Sequence, residues 1–357
     1  MSSEFGKNIT LSVFGESHGE AIGCVINGLP AGVALDTDKI NFEMARRAPG
    51  KDKTATPRLE KDLPEILSGV LNGVTTGAPL AMIIKNTNTK SGDYSNLMQV
   101  PRPSHSDYPA YVKYNGFNDI RGGGHFSGRL TAPIVFAGAV AKQILAQKGI
   151  TVGAHIKSIA GICDDSFDME NVTAQELIKV SSLPFSVINK DVEERMREAV
   201  EEARMDCDSV GGVIECAAVG LPVGLGANIF STVEGHIASA LFGVPAVKGV
   251  EFGAGFGIAD LRGSQANDPY CIKDGSVFVK QNNNGGVLGG MTTAAPLIVR
   301  AAIKPTPSIA KEQESVNLQT MSDARLKIKG RHDPCIVPRA VPVIEAAVAF
   351  ALLDLMM

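Results

Sequence analysis

Three segments of this chain occur twice, in the same order in its two halves. Residues 28–32 read GLPAG and residues 220–224 read GLPVG, and each follows an apolar run. Residues 74–80 (VTTGAPL) return as residues 291–297 (MTTAAPL), again ahead of an apolar segment. A single match of this kind arises by chance, whereas several in one order indicate a duplicated fold.

The third repeated segment is long and apolar. Residues 129–141 (RLTAPIVFAGAVA) are similar to residues 339–349 (RAVPVIEAAVA). Helical spacing of small apolar residues predicts buried helices here, over 130–145 and 340–355, while alternation predicts strands around 210–219 and 247–260. We therefore expect an α+β or layered β-α-β protein, with helices packed between or against antiparallel sheets.

The repeats also predict how the chain is organised. We expect one domain over residues 1–357, with similar halves at about 1–150 and 207–357 and a helical linker at about 157–206. At the end of that linker, residues 189–206 combine paired Glu and Arg with a narrow apolar stripe, which predicts a surface helix. Polar segments at 47–62, 86–128, 262–287 and 304–335 are predicted as loops, and long loops usually carry function.

Composition narrows the class of partner. A formal net charge of −4 over 357 residues does not favour binding to nucleic acid or to a membrane surface. The first residues lack the layout of a signal peptide, and no apolar run reaches the length of a bilayer span. The six cysteines are scattered without a C-x-x-C pair. We therefore expect a cytoplasmic protein that binds no metal, no nucleic acid and no membrane.

Residues 15–19 read GESHG, which matches the G-x-S-x-G nucleophile elbow of serine hydrolases, with Ser17 as the nucleophile. An elbow needs a strand before the serine and a helix directly after it. The residues after Gly19 are strand-like instead. A serine hydrolase is therefore the alternative function, not the preferred one.

Arginine and glycine are concentrated in several of the polar loops. Residues 121–129 (RGGGHFSGR) place glycines ahead of a helix, where backbone N–H groups bind anions and where Ser127 and Arg129 add donors. Residues 45–53 (ARRAPGKDK) form a basic segment, which in isolation is usually a solvated loop. Together, so many arginines suit a small polyanion that carries phosphate and carboxylates.

Three histidines lie in polar loops near these segments: His18, His105 and His125. A lone loop histidine is usually a surface residue, but three of them beside glycine and arginine loops favour a site that titrates near neutral pH. Residues 282–290 (NNNGGVLGG) form another glycine loop, which is consistent with a backbone lying against a flat ligand.

Taken together, these motifs resemble those of the chorismate synthase family. The matching segments include 15–19 with 26–30 (INGLP), 102–107 (RPSHSD), 127–129 (SGR), 285–290 (GGVLGG), 304–306 (KPT), and 331–335 (RHDPC) with Glu345. The likeness spans nearly the whole chain.

The resemblance implies a β-α-β sandwich that typically assembles as a homotetramer, and a lyase of the shikimate pathway. The implied reaction converts 5-enolpyruvylshikimate 3-phosphate, a phosphorylated dicarboxylate, to chorismate by 1,4-elimination of phosphate. Reduced FMN is required although the reaction has no net redox change. Since no segment looks like a built-in flavin reductase, we expect reduced flavin from an external source, with NADPH acting only indirectly.

The resemblance also implies residue roles. His18 matches the acid at the leaving phosphate, His105 the proton donor near flavin N1, and Asp333, with flavin N5, the group that helps to remove the ring proton. The residues expected to bind substrate are Ser17, Arg46, Arg47, Arg58, Ser127, Arg129 and Arg331. Those expected to bind FMN are His125, Phe126, Ser127, Pro245, Ala246, Gly289, Lys304, Pro305, Thr306, Pro307, Ser308 and Arg331. Arg47 and Lys53 match positions for a reduced pyridine nucleotide. A non-catalytic flavin- or phosphate-binding protein is a further alternative.

Overall fold

The computed structural model of the chain describes residues 3–49, 62–87, 99–273, 275–293, 295–328 and 333–357. Its strands are β1 (Glu4–Phe5), β2 (Thr10–Gly15), β3 (Ala21–Asn27), β4 (Glu65–Ser68), β5 (Val70–Leu71), β6 (Val74–Thr75), β7 (Leu80–Lys85), β8 (Thr151–Ile159), β9 (Ile162–Cys163), β10 (Gly212–Val219), β11 (Val247–Phe252), β12 (Tyr270–Lys273), β13 (Ser276–Val279), β14 (Val287–Leu288), β15 (Met291–Thr292), β16 (Leu297–Ile303), β17 (Gln313–Asn317) and β18 (Ser322–Leu326). Its α-helices are α1 (Thr37–Arg47), α2 (Asp107–Lys113), α3 (Thr131–Gln147), α4 (Ala174–Ser181), α5 (Asp191–Met205), α6 (Val233–Phe242), α7 (Gly263–Ala266) and α8 (Val337–Met356).

Two five-stranded antiparallel sheets have the same strand order. The first runs β1-β2-β3-β7-β4 and the second β9-β8-β10-β16-β11. Each strand of one sheet therefore has a counterpart at the same place in the other, and the antiparallel pairings agree. The predicted α+β fold with two similar halves is confirmed.

Helices α3 and α8 form the layer between the sheets. Helix α3 packs on strands of the first sheet, α8 packs on strands of the second, and the two helices pack on each other. A Cβ atom at Gly138 would lie only 2.2 Å from the Cβ of Ala346, so the helices approach to a distance that only glycine allows here. Because both helices are covered on nearly all sides, their apolar residues run around the whole circumference.

One described helical stretch, Arg121–Gln147, is long and apolar enough to cross a membrane, judged by length and composition alone. Most of its apolar window, 72%, is buried inside the protein. The stretch includes α3, so the central helix of the sandwich accounts for its apolar character.

Several predicted boundaries need correction. Strand β8 pairs with β10 in the second sheet, so the second set of strands begins at Thr151, and α4 and α5 lie between β9 and β10. Helix α5 matches the predicted surface helix, and its stripe residues Met196 and Val200 are buried. The strand expected to reach residue 260 ends at Phe252.

Two of the predicted loops contain hairpins. The 262–287 segment includes β12 and β13, and the 304–335 segment includes β17 and β18. Strands β17 and β18 are mostly polar, so they lack the apolar alternation that identifies a strand in a sequence. Strands β12 and β13 are apolar and flank an Asp-Gly pair, which is typical of a two-residue hairpin turn.

Candidate active site

A cavity of about 890 Å³ is lined by residues from both halves of the chain. This volume falls in the range of small-molecule sites. Its walls include the β2–β3 turn, the connection from β7 to α3, the segment from α6 into β11, and the connection from β16 to α8. Of the expected site residues, it brings together Ser17, His18, Arg47, His105, His125, Phe126, Ser127, Arg129, Pro245, Ala246, Lys304, Thr306, Pro307, Ser308 and Asp333.

The β2–β3 turn carries Ser17 and His18, both buried. Strand β3 begins at Ala21, which confirms the strand predicted after this turn and provides no helix for a nucleophile elbow. The Ser17 hydroxyl donates to the carbonyl of Arg121 at 3.1 Å and lies 3.2 Å from Nδ1 of His18. Because the hydroxyl hydrogen is directed to a carbonyl, Ser17 accepts from the Nδ1–H of His18. The geometry does not favour the serine hydrolase.

The glycine loop lies against both histidine rings. Gly122 and Gly123 have φ values of 61° and 88°, which favour glycine. A Cβ atom at Gly122 would lie 2.1 Å from the ring of His18, and one at Gly123 would lie 3.5 Å from that of His105. The Gly123 N–H donates within the loop, to the carbonyl of Ile120 at 3.0 Å. The glycines therefore bring backbone against the two rings, and the Gly123 N–H does not face an anion.

His105 lies just before α2 and has a carboxylate partner. Its Nδ1 is 2.6 Å from Oδ1 of Asp107. Burial would raise the pKa of Asp107, but hydrogen bonds from Arg102 and His105 hold it well below its ordinary value. This edge of the site therefore holds a carboxylate that stays ionised.

Arg47 and Arg129, which line the cavity, share the carboxylate of Asp62. Nη1 of Arg47 lies 2.6 Å from Oδ2 of Asp62, and Nη1 of Arg129 lies 2.7 Å from Oδ1. Arg47 also donates to the Thr131 hydroxyl and to the carbonyl of Gly128. Burial, followed by the charge of a neighbouring arginine, lowers the pKa of Arg47 to about 10. Two cations around one anion leave this wall positive, which suits an anionic ligand.

The second half contributes the opposite side of the cavity. The ammonium of Lys304 donates to the carbonyl of Ser104 at 2.5 Å, which joins the β16–α8 connection to the β7–α3 connection. The Thr306 hydroxyl donates to the carbonyl of Asp333 at 3.0 Å. Arg339 holds the Asp333 carboxylate at 2.5 Å.

His125 and Ser127 line the cavity but already have partners. Nδ1 of His125 lies 2.8 Å from the carbonyl of Gly15, and its Nε2 lies 2.7 Å from the Ser3 hydroxyl. The Ser127 hydroxyl accepts from the N–H of Arg129. The histidine therefore anchors the glycine loop to β2, next to the exposed ring of Phe126.

Three expected residues are not brought to the cavity. Arg46 forms a bidentate pair with Glu345, at 2.9 and 3.0 Å, because this fully buried carboxylate needs a counter-charge. Gly289 occupies the tight turn between β14 and β15, with a φ of 59°. Pro305 does not line the cavity, although its neighbours do. The expectations for Lys53, Arg58 and Arg331 lie outside the described residues.

Comparison with known proteins assigns the chain to a family. A chorismate synthase family model matches residues 9–357. The chain belongs to the chorismate synthase family. It is 50% identical over 349 residues to the chorismate synthase of Thermococcus kodakarensis, covering 98% of this chain and 96% of the relative. The Korarchaeum cryptofilum chorismate synthase is 47% identical over 350 residues, with the same coverages. A crystal structure of chorismate synthase aligns with a TM-score of 0.76 at 31% identity, covering 98% of this chain and 91% of that one.

Sequence reasoning assigned no role to Asp62, Arg102 or Asp107. Arg102 and Asp107 lie within three residues of His105, so the RPSHSD motif contained a signal for them. Asp62 contacts an arginine 67 residues away, and nothing in the local sequence indicates that contact.

Proposed function

We propose that this protein converts 5-enolpyruvylshikimate 3-phosphate to chorismate and inorganic phosphate by a reduced-FMN-dependent 1,4-elimination. This is the last common step of the shikimate pathway to aromatic amino acids. The observation that supports the proposal most is the convergence of His18, His105, Arg47, Arg129 and Lys304 on one cavity, in a chain of this family.

Substrate recognition would rest on the cationic wall. The substrate carries a phosphate and two carboxylates, and guanidinium groups bind such anions through paired hydrogen bonds. Arg47 and Arg129 are held in place by Asp62, so their donors are ordered before a ligand arrives. Arg58 and Arg331 would add to this wall.

Proton transfer would be divided between two places. In the elimination the allylic C–O bond and a ring C–H bond break, a new double bond forms, and the proton leaves to a base. His18, oriented by Ser17, would protonate the leaving phosphate. Asp333, held by Arg339, would help to remove the ring proton.

The residues present fit a flavin. The cavity combines apolar wall residues such as Ile134, Val343 and Phe350 with polar side chains at the β16–α8 connection. Lys304, with the hydroxyl of Ser308, would hold the FMN phosphate, and Thr306 would line its site. When bound, reduced FMN supplies electron density that eases C–O cleavage and is recovered without net redox change. His105 would hold a proton toward flavin N1.

Further parts of the proposal concern assembly and supply. We propose a cytoplasmic homotetramer that receives reduced flavin from an external reductase, with NADPH used only by that source. A contact of pyridine nucleotide with Arg47 and Lys53 belongs to the same proposal.

The deciding assay mixes the protein anaerobically with reduced FMN and 5-enolpyruvylshikimate 3-phosphate. Phosphate and chorismate should appear in equal amounts, and omission of reduced flavin should abolish both. Binding of reduced FMN without phosphate release would instead indicate a non-catalytic flavin protein. Labelling of Ser17 by a fluorophosphonate would favour the hydrolase. Turnover with NADPH alone, in air, would contradict the external source of reduced flavin.

A further inference from the structure

The Asp107 carboxylate beside His105 accepts several charge-assisted hydrogen bonds. Asp107 is buried at the start of α2, with Oδ1 2.6 Å from Nδ1 of His105. Arg102 donates to it from Nε at 2.7 Å, from Nη2 at 2.8 Å and from its backbone N–H at 3.0 Å. Charge-assisted bonds of this kind hold both partners in one orientation.

The distances assign the proton on the ring of His105. Nη2 of Arg102 lies 3.1 Å from Nδ1, which by itself would make Nδ1 an acceptor. The shorter contact to Asp107 excludes this, because a bare Nδ1 and a carboxylate oxygen 2.6 Å apart would oppose two lone pairs. Nη2 already has Asp107 as its acceptor. Nδ1 therefore carries the proton, and Nε2 lies on the edge of the ring beside Gly123.

Arg102 also connects this group to the other half of the molecule. Its Nη1 donates to the Ser308 hydroxyl at 3.2 Å. The connection from β7 to α3 and the connection from β16 to α8 are thus joined at the residue that holds Asp107.

We propose that Asp107 is a positioning residue, which accepts from the Nδ1–H of His105 and so directs Nε2, the nitrogen that gives up the proton, toward the cavity, and that Arg102 holds Asp107 in that role. This inference rests on the proposed function, in which His105 acts as a proton donor. In histidine–carboxylate pairs generally, the partner on the far nitrogen sets the tautomer and the orientation of the ring.

Two segments next to His105 carry other charged or titratable groups. Lys304 comes from the second half, where its ammonium bonds to the carbonyl of Ser104. The segment against the other ring edge carries Arg121, which pairs with Asp119, and His125, which bonds to the carbonyl of Gly15. Because these three side chains have partners of their own, Asp107 and Arg102 are the charged groups in contact with Nδ1.

The test measures kcat and KM across pH for the wild type, Asp107→Asn and Asp107→Glu in the anaerobic assay. Asp107→Asn should lower kcat about 100-fold and change KM less than about threefold. Its alkaline limb of kcat should move to lower pH, because the lost carboxylate favours the protonated ring. Asp107→Glu should restore the limb to its wild-type position. An unchanged kcat and limb in Asp107→Asn would overturn the proposal.

The second half offers a matched control. Asp164 lies 3.1 Å from Nδ1 of the buried His155, away from the cavity. Asp164→Asn removes the same kind of contact, so it should lower Tm at least as much as Asp107→Asn and leave the alkaline limb in place. An equal displacement of the limb by Asp164→Asn would show a general loss of stability, and the proposal would be wrong.

A measurement that does not depend on catalysis distinguishes failure of this inference from failure of the proposed function. The ¹⁵N spectra of histidine-labelled protein, with the His105 signal identified from His105→Gln, report which ring nitrogen is protonated. Nδ1–H in the wild type, altered in Asp107→Asn, supports the inference even if no chorismate forms; then only the proposed function fails. A neutral ring that carries its only proton on Nε2 in an active wild type would overturn the inference and leave the function intact.

Discussion

Individual hydrogen bonds of one half of the molecule have exact counterparts in the other half. The Thr75 hydroxyl donates to the carbonyl of Pro30 at 2.7 Å, and the Thr292 hydroxyl donates to the carbonyl of Pro222 at 2.5 Å. Each threonine also accepts from a backbone N–H three residues beyond that proline, at 2.9 Å in both halves. The repeated GLP turn is thus joined to the repeated threonine segment in the same way twice.

The first glycines of the two GLP turns also have matching backbone angles and surroundings. Gly28 and Gly220 have φ values of 82° and 83°, and a Cβ atom at either would lie 2.3 Å from a carbonyl oxygen. The β14–β15 turn also has a counterpart, because Asn72 and Gly73 repeat the positive φ values of Gly289 and Gly290. Gly289 therefore belongs to the repeated framework, which explains its place outside the cavity.

The halves differ where the chain leaves the sheets. Strands β2 and β3 are joined by residues 16–20, which include Ser17 and His18, whereas their counterparts β8 and β10 are joined by β9, α4 and α5. Paired strands are constrained by their partners, but connections at a sheet end tolerate replacement. One duplicated framework therefore carries two different sets of loops, and the cavity lies where they meet.

Glu345 breaks this symmetry within the central helices. It lies three residues after Pro342, while Phe136 lies three residues after Pro133, so the second half has a charge where the first has an aromatic core residue. It bonds to Arg46 and Lys142 of the first half and to the N–H of Ala154.

Glu345→Ala should therefore destabilise the protein by about 3–5 kcal/mol, since it leaves buried cations without their partner. Urea unfolding would measure the change. Glu65→Ala, which removes an exposed pair with Lys85, is the control and should cost less than about 1 kcal/mol. Similar losses in both variants would show that Glu345 does not join the halves.

Glu345 also predicts a pH dependence. Burial opposes ionisation, but the charges of Arg46 and Lys142 lower the pKa of Glu345 from 4.5 to about 2. A carboxylate whose pKa is lower in the folded state stabilises the protein above pH 4.5, and this contribution is lost as the pH falls toward 2. Glu345→Gln should give a flatter dependence of the unfolding free energy over this interval. A slope equal to that of the wild type would contradict the assignment.

His18→Ala tests a loop residue, in the β2–β3 turn, and leaves the repeated strands and their turns unchanged. In the anaerobic assay kcat should fall at least about 100-fold, because the general acid that we propose for the leaving phosphate is lost. Circular dichroism should show the wild-type fold. Ser17→Ala, which removes only the hydroxyl contact to His18, should have a smaller effect. A larger loss in Ser17→Ala than in His18→Ala would reverse the roles of the two residues.

The repeated threonines test whether the halves are equivalent in energy as well as in geometry. Thr75→Val and Thr292→Val each remove a buried hydroxyl that makes two hydrogen bonds to the backbone, at a cost of about 2 kcal/mol. The two losses, from urea unfolding, should agree within about 0.5 kcal/mol. If only one variant is destabilised, the two turns contribute unequally to the free energy of unfolding, although their hydrogen bonds match.

The smallest effect is expected at the second glycine of each GLP turn. Gly32 and Gly224 have φ values of 86° and 85°, with open space where a Cβ would stand. Gly32→Ala and Gly224→Ala therefore meet only the left-handed backbone penalty, about 1 kcal/mol. Gly28→Ala, which also clashes with a carbonyl, is the contrasting variant and should lose more. Equal losses at Gly28 and Gly32 would remove the distinction between strain and clash.

Much of the fold could be predicted because its signals are local. The central helices α3 and α8, the surface helix α5 and the strand after the GESHG turn follow from spacing and turn residues. Hairpin β17–β18 has no clear local signal because its strands are mostly polar, whereas β12–β13 has one, an Asp-Gly pair between apolar strands, that the prediction of a loop over 262–287 does not use.

The sequence by itself determined the duplicated framework and the residue types of the site, because repeats, helical spacing and arginine-rich loops can be read without knowing the contacts. Only the tertiary structure decided which arginine faces the cavity. Arg46 and Arg47 are neighbours at the end of α1, and a helix turns successive side chains about 100° apart. Arg46 therefore reaches Glu345, 299 residues away, and Arg47 reaches the cavity. A contact over that separation depends on how the two halves pack, which no local pattern encodes.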